Sequence, residues 1–241
     1  MCGRYTLKTR AQQLAKRYRV EFDPGLAAHL TARYNIPPGT GVLTIRDDRD
    51  AGVRKADLFH WGLVPAWAKD VKIGYKLSNA RSETAASKPS FRHAMRYRRC
   101  VLPADGFFEW QREGGHKQPF YFHAADDRPL SLAGLWEHWQ SPDGSEILSV
   151  SVLTTRANAL MAPIHDRMPV FIPDEALDRW LAPGLTKAED VADLLRPPPE
   201  DLLACHPVST AVNAVRHDGP ELLLPTDASA PRPEPTQGEL F

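Results

Sequence analysis

Residues 146–155 read EILSVSVLTT, a run of alternating branched apolar and small hydroxyl residues that makes the clearest β-strand in the chain. The fold class follows from what surrounds it. Upstream, QPFYFHA (118–124) alternates in the same way, and the DDRP turn (126–129) leads into LSLAGLWEHW (130–139), so these two segments are expected to form a hairpin. GVLTIRDD (41–48) is a short strand ending in a polar turn, and DLFHWGLVPAW (57–67) starts as a strand that Pro65 stops. Helical spacing is confined to short pieces: AQQLAKRYRV (11–20), DEALDRWL (174–181) and KAEDVADLL (187–195), the last closed by RPPP. Strands dominate and do not alternate regularly with helices. The expectation is therefore an α+β fold, a single domain over residues 1–225 with a mixed, partly barrel-like β core flanked by short helices. From 226 to 241 the chain is proline-rich and nearly free of apolar residues, which predicts a disordered tail.

Composition narrows the function classes. The chain has 241 residues, six tryptophans and a 42% hydrophobic fraction, enough to bury a substantial core. Lys+Arg and Asp+Glu are equal at 30 each, so any polyanion site must be a local patch rather than a global field. Cys2, Cys100 and Cys205 are widely spaced and odd in number, which argues against a disulfide framework, and they form no CxxC pair for structural zinc. No apolar run is long enough to span a bilayer, and the N-terminus lacks the apolar centre of a signal peptide. A cytoplasmic monomer without metal or cofactor is expected.

The chain begins MCGRYTL, with Cys2 directly after the initiator methionine. If Met1 is removed, Cys2 carries an α-amine, which titrates at roughly 7.7–8.0, beside a thiol near 8.5. The amine can condense with an aldehyde and the thiol can then close on the imine carbon, giving a thiazolidine ring. The same position suits an N-terminal-nucleophile hydrolase, whose free amine acts as base for the side chain. It equally suits a small apolar residue at a frayed end. Position alone does not choose between these.

Four further stretches are more polar or more oddly composed than the strands and turns they interrupt. YNIPPGT (34–40) places Asn35 before a Pro-Pro-Gly turn, where turn chemistry is sufficient explanation. WGLVPAWAKD (61–70) sets Trp61 on a strand, as core, and Trp67 beyond the proline in a loop, where an aromatic can serve as a stacking platform for bases. Residues 76–100 hold Asn79, Arg81 and Glu83 in a small-residue loop, followed by Arg92, His93, Arg96, Arg98 and Arg99. That run is either a solvated helix face or a phosphate-binding patch. The fourth comes in two pieces. CVLPADGFFEW (100–110) sets Glu109 between Phe108 and Trp110 at the end of an apolar strand, and residues 157–172 carry His165, Asp166 and Arg167 before the strand MPVFI. Glu109 is either an outward-facing strand residue or a buried acid–base group with a raised pKa. His165 is either a satisfied core histidine or a proton-transfer and phosphate-contact residue.

Taken together and in order, MCGRY, YNIPPGT, WGLVPAWAKD, SNARSET, RRCVLPADGFFEW and TTRANALMAPIHDRMPV resemble the SOS-response-associated peptidase family of abasic-site processing proteins. The resemblance extends from Met1 to the VNAVRHDG segment (212–219) and leaves only the tail outside it. It implies that Cys2, exposed by removal of Met1, reacts with the ring-opened aldehyde of an abasic deoxyribose in single-stranded DNA to form a stable thiazolidine crosslink. By the matching motifs it implies that Asn79 holds the reacting residue, that Glu109 transfers protons at the amine, and that His165 assists ring opening and phosphate contact. It places Arg4, Asn35, Trp67, Arg81, Trp110 and Arg167 among the DNA contacts. Because a Schiff base at C1′ acidifies the C2′ proton, weak β-elimination is an expected side path. A cysteine peptidase or amidohydrolase using Cys2 on a carbonyl, with self-removal of Met1, is the competing class. A non-catalytic single-strand-binding module is the third.

Overall fold

A computed structural model describes residues 2–48, 52–141 and 143–226. Met1 and the tail expected to be disordered, apart from Thr226, lie outside the described residues. Among the described residues the strands are β1 (Tyr5–Leu7), β2 (Arg33–Ile36), β3 (Gly41–Asp47), β4 (Arg54–Trp61), β5 (Asn79–Arg81), β6 (Arg99–Ala104), β7 (Gly106–Glu113), β8 (His116–Ala124), β9 (Leu130–Gln140), β10 (Glu146–Arg156), β11 (Arg167–Pro169) and β12 (Leu203–Pro207). The α-helices are short: α1 (Ala11–Tyr18), α2 (Pro24–His29), α3 (Ser82–Ala85), α4 (Arg92–Tyr97) and α5 (Leu177–Leu181).

The strands form two sheets. One has the order β12-β8-β7-β1-β2. In the other, β10-β4-β3-β6-β9 closes on itself through the β9–β10 hairpin to make a five-stranded barrel, with β5 and β11 added on β10. The fold is thus the mixed α+β, barrel-containing single unit that the strand-rich pattern implied.

Strand β10 is the hub. It pairs antiparallel with β9 and β11 and parallel with β4 and β5. Its apolar residues Val150, Val152 and Leu153 are core, and three of its buried hydroxyls, those of Ser149, Thr154 and Thr155, anchor neighbouring segments. Ser149 Oγ accepts from Val64 N at 2.9 Å, Thr154 Oγ1 donates to Ala80 O at 3.4 Å, and Thr155 Oγ1 donates to Leu195 O at 3.3 Å. A buried hydroxyl with such a partner avoids the penalty of an unsatisfied polar group, which lets this serine- and threonine-rich strand run through the interior.

Several local expectations change in three dimensions. QPFYFHA and LSLAGLWEHW do not pair with each other: β8 lies between β7 and β12, whereas both edges of β9 are taken by β6 and β10. Alternation identifies a strand's faces but not its partner, and here the connection crosses from one sheet to the other. CVLPADGFFEW is two strands, separated at Asp105. The Asp105 carboxylate accepts from the backbone N–H groups of Lys8 and Thr9. Glu109 consequently sits in the middle of β7, opposite Phe120, rather than at a strand end. KAEDVADLL forms a 3₁₀ run over Ala188–Leu194 rather than an α-helix, and MPVFI contributes only its first residues to β11.

Candidate active site and nucleic-acid surface

The segment before β1 is held between the two sheets. Phe108 N donates to Arg4 O at 2.9 Å, which fastens it to β7, and Asn79 Nδ2 donates to the carbonyl of Cys2 at 2.7 Å, which fastens it to β5. Asn79 is presented there because β5 pairs parallel with β10, Asn79 lying level with Val152. Cys2 is fully buried in the main core cluster.

Glu109 reaches the same place from the other sheet and is only 3% exposed. Burial raises its carboxyl pKa, with the charge of His165 pulling the opposite way. Burial also pushes the Cys2 thiol up to about 12, the nearby Glu109 charge adding to the effect. The resting sulfur is therefore a neutral thiol, unlike the low-pKa thiolate of a cysteine peptidase. His165 comes from the loop before β11. Its Nδ1 accepts from Arg167 N–H at 2.9 Å, which in the neutral ring puts the proton on Nε2, and the Asp166 carboxylate lies 3.0 Å from the same nitrogen. Asn79 thus meets Cys2 from β5, docked on the barrel, Glu109 meets it from the second sheet, and His165 approaches Glu109 from the loop before β11.

The residues expected at DNA divide into two groups. Trp67 is 58% exposed at the tip of a loop anchored by Trp139 Nε1 donating to Ala68 O at 2.7 Å. Arg81 is exposed at the end of β5. Arg4 is half-buried beneath Trp110, its guanidinium 5.8 Å from the ring centroid. It donates to Asn35 Oδ1 at 2.6 Å and to Val212 O at 2.9 Å, and Trp110 Nε1 donates to Asn213 Oδ1 at 2.7 Å.

Asn35 departs from the expectation of a DNA contact. It is fully buried, its amide donating to the carbonyls of Val212, Ala214 and His217 while its oxygen accepts from Arg4. With those groups committed inside the protein, Asn35 supports Arg4 and the 212–218 segment instead. Arg167 is likewise occupied, both terminal nitrogens binding Glu83 at 2.8 Å. The basic run is split: Arg92 and Arg96 are exposed, whereas Arg98 pairs with the buried Glu137 and Arg99 is buried, donating to backbone carbonyls.

Sequence reasoning missed Tyr75, which is 74% exposed in the same loop region as Trp67 and follows Lys72. The aromatic–lysine interleaving of WAKDVKIGYK was the available signal. It also missed Asp218, whose carboxylate accepts from the backbone N–H groups of Tyr34 and Asn35 and from Arg33 Nε, locking YNIPPGT to the 212–219 segment. Among the described residues, no cluster of three histidine, cysteine or acidic side chains is arranged to hold a metal ion, and no helix is long and apolar enough to cross a membrane.

With that geometry described, the chain can be set beside known proteins. Abasic site processing protein YoqW of Bacillus subtilis (strain 168) is 38% identical over 225 residues, spanning 92% of this chain and 99% of the relative. Abasic site processing protein YedK of Escherichia coli (strain K12) is 34% identical over 229 residues, spanning 93% of this chain and all of the relative. A crystal structure of a protein from Bacteroides thetaiotaomicron superposes with a TM-score of 0.84 at 27% identity, covering 93% of this chain and 100% of that one. Residues 1–215, which include every strand and loop that converges on Cys2, match the SOS response associated peptidase (SRAP) family, and the chain belongs to it.

Proposed function

We propose that this protein processes abasic sites in single-stranded DNA by forming a covalent thiazolidine between Cys2 and the lesion. The observation that carries the reading is the grip on Cys2: Asn79 holds its carbonyl at 2.7 Å in a fully buried position, with the buried carboxyl of Glu109 nearby. The names of the relatives, abasic site processing proteins, support the substrate class. The chemistry requires Cys2 to be the first residue of the working protein, so Met1 is removed first, by the protein itself or by an aminopeptidase.

The steps then follow from the residues. The sugar exists mainly as a closed hemiacetal, and His165 supplies a proton to the ring oxygen while water takes the proton of the C1′ hydroxyl, as the ring opens to the aldehyde. The Cys2 amine adds to C1′ to give a carbinolamine, and Glu109 moves the protons that let water leave and the Schiff base form. The thiol adds to C1′ and its proton passes to the nitrogen, closing the five-membered ring. A protonated Schiff base that loses its C2′ proton instead undergoes β-elimination, a minor lyase path. Because the amine acts first, a neutral resting thiol is no obstacle. The same thiol is ill suited to direct attack on a peptide carbonyl, which favours this reading over the cysteine peptidase. Arg4, Arg81, Trp67 and Trp110 provide the backbone and base contacts.

The decisive experiment compares the wild type with Cys2→Ala on a single-stranded abasic oligonucleotide, analysed on a denaturing gel, after intact-mass confirmation that Met1 is absent. The wild type should give a heat-stable adduct without reductant. Cys2→Ala keeps the amine and should give an adduct only when borohydride is present. A heat-stable adduct from Cys2→Ala without reductant would refute ring closure at this residue.

A further inference from the structure

The outer face of the first sheet carries a second group of titratable side chains, apart from Cys2. In the antiparallel pair β8–β12, Ala204 lies opposite His123 and His206 opposite Tyr121, so the two histidines are diagonal neighbours on one face. That face is turned away from the reacting residues. Tyr121 packs with Phe108 in a small separate core cluster, whereas Glu109 lies level with Phe120, which packs against the main core that holds Cys2. The two imidazole centroids are 5.7 Å apart, with their planes inclined by 63°. Tyr121 is buried, its hydroxyl 3.0 Å from Thr6 Oγ1, and it packs on both rings, stacked on His123 at 5.5 Å and edge-on to His206 at 5.8 Å. Each imidazole is held through one nitrogen. His206 Nε2 donates to Leu223 O at 2.9 Å, and His123 Nδ1 donates to Ala124 O at 2.9 Å with the Asp127 carboxylate 3.1 Å away. A backbone carbonyl only accepts, so those nitrogens carry the protons. In the neutral rings the lone pairs then lie on His206 Nδ1 and His123 Nε2, which have no hydrogen-bond partner among the described residues. Both side chains are partly exposed, so water reaches them.

We propose that His123 and His206 form a two-histidine site for a divalent transition-metal ion of the zinc, nickel and copper class. Imidazole nitrogen is a preferred donor for these ions, and a ligating histidine gives its other N–H to a carboxylate or a backbone carbonyl, which fixes the tautomer. Both supporting partners are in place: Ala124 O and Asp127 for His123, and Leu223 O for His206. An ion bonded at about 2.1 Å to two imidazole nitrogens holds the ring centroids roughly 5–6 Å apart, and the separation of 5.7 Å meets that requirement. Cys205 is not a third ligand, because it lies opposite Phe122 on the other face of β12. Water fills the remaining positions, so the site is open and binds more weakly than a closed four-ligand centre. The ion crosslinks β8 to the edge strand β12 and, through His206, bears on the 220–223 turn. The two histidines stand on separate strands far apart along the chain, so no spacing motif announces the pair.

The test uses the full chain, ¹⁵N-labelled at histidine and titrated with Zn²⁺ up to about 1 mM, read by the ring-nitrogen spectra and the melting midpoint. Zn²⁺ should move the signals of His123 Nε2 and His206 Nδ1, the two nitrogens that carry lone pairs, and should raise the midpoint. His206→Gln puts an amide donor near the place of Nε2, and His123→Asn puts one near the place of Nδ1. Each variant therefore keeps its backbone hydrogen bond and loses the ligating nitrogen. Either should weaken Zn²⁺ binding at least tenfold and remove the shift in midpoint. Asp127→Asn, at a side chain 82% exposed, should weaken binding about tenfold by loosening the orientation of His123. Two results would overturn the proposal. One is a titration that leaves both nitrogens unmoved. The other is Zn²⁺ binding to both histidine variants as tightly as to the wild type, which would put the ion elsewhere on the protein. Should the histidine variants fold poorly, the ring-nitrogen shifts of the wild type and of Asp127→Asn decide.

Discussion

Replacing Asn79 with alanine tests the site at its most specific contact. The amide of Asn79 donates to Cys2 O at 2.7 Å, and Cys2 is fully buried. A neutral hydrogen bond contributes ~1 kcal/mol net, and a buried carbonyl left without a donor costs a further ~1–2 kcal/mol. The Asn79 carbonyl oxygen is itself buried without a hydrogen-bond partner among the described residues, so its removal strands no second group. The contact therefore carries about 2–3 kcal/mol of positioning, and at tenfold in rate per ~1.4 kcal/mol this corresponds to an adduct rate slower by about 30- to 140-fold. The assay is single-turnover crosslinking to a single-stranded abasic oligonucleotide, quenched and resolved on a denaturing gel, with protein in excess so that binding does not limit. Asn79→Asp, nearly isosteric but without a donor, should lose at least as much rate. Crosslinking by Asn79→Ala within threefold of wild type would refute the claim that this bond holds the reacting residue.

Two other predictions concern pH and stability. Burial raises the Glu109 carboxyl pKa, so its contribution to stability is fully present below about 4.5 and is lost as pH rises through the raised value. Glu109→Gln should accordingly melt higher than wild type at pH 7, with the difference closing as pH falls toward 4.5, while adduct formation slows by about 100-fold; equal melting curves at pH 7 would contradict a Glu109 carboxyl raised by burial. Arg99 donates to Met95 O, Trp180 O and Ala182 O at 3.1, 2.6 and 2.8 Å from a buried position, tying α4 and α5 to β6. Arg99→Met should cost ~3 kcal/mol and lower the melting midpoint by about 6–12 °C without changing DNA affinity, and a loss of affinity in the folded variant would return Arg99 to the phosphate patch.

The sequence determined what depends on neighbours along the chain. The alternation of EILSVSVLTT made 146–155 a strand, and β10 does run through it. Short helical periods bounded by prolines foretold short helices, and the balance of elements foretold an α+β fold with a barrel-like core. The ordered motifs were enough to point to the family to which the chain belongs. What the sequence could not carry was partnership. QPFYFHA and LSLAGLWEHW each present two hydrogen-bonding edges, and nothing in their composition says that those edges face different sheets. Asn35 and Arg167 look like surface polar residues because their types usually are. Only the packing of the 212–218 segment and of α3 shows that their donors are already committed, to three backbone carbonyls and to Glu83 respectively. The convergence on Cys2 is likewise a tertiary result. Asn79, Glu109 and His165 lie far apart along the chain, and they come together because β5 docks on β10 while β7 belongs to the facing sheet and His165 sits on the loop entering β11. Local residue types fixed which side chains were chemically capable. Burial, which raised the Glu109 and Cys2 pKa values and satisfied or stranded each polar group, fixed which of them share a site.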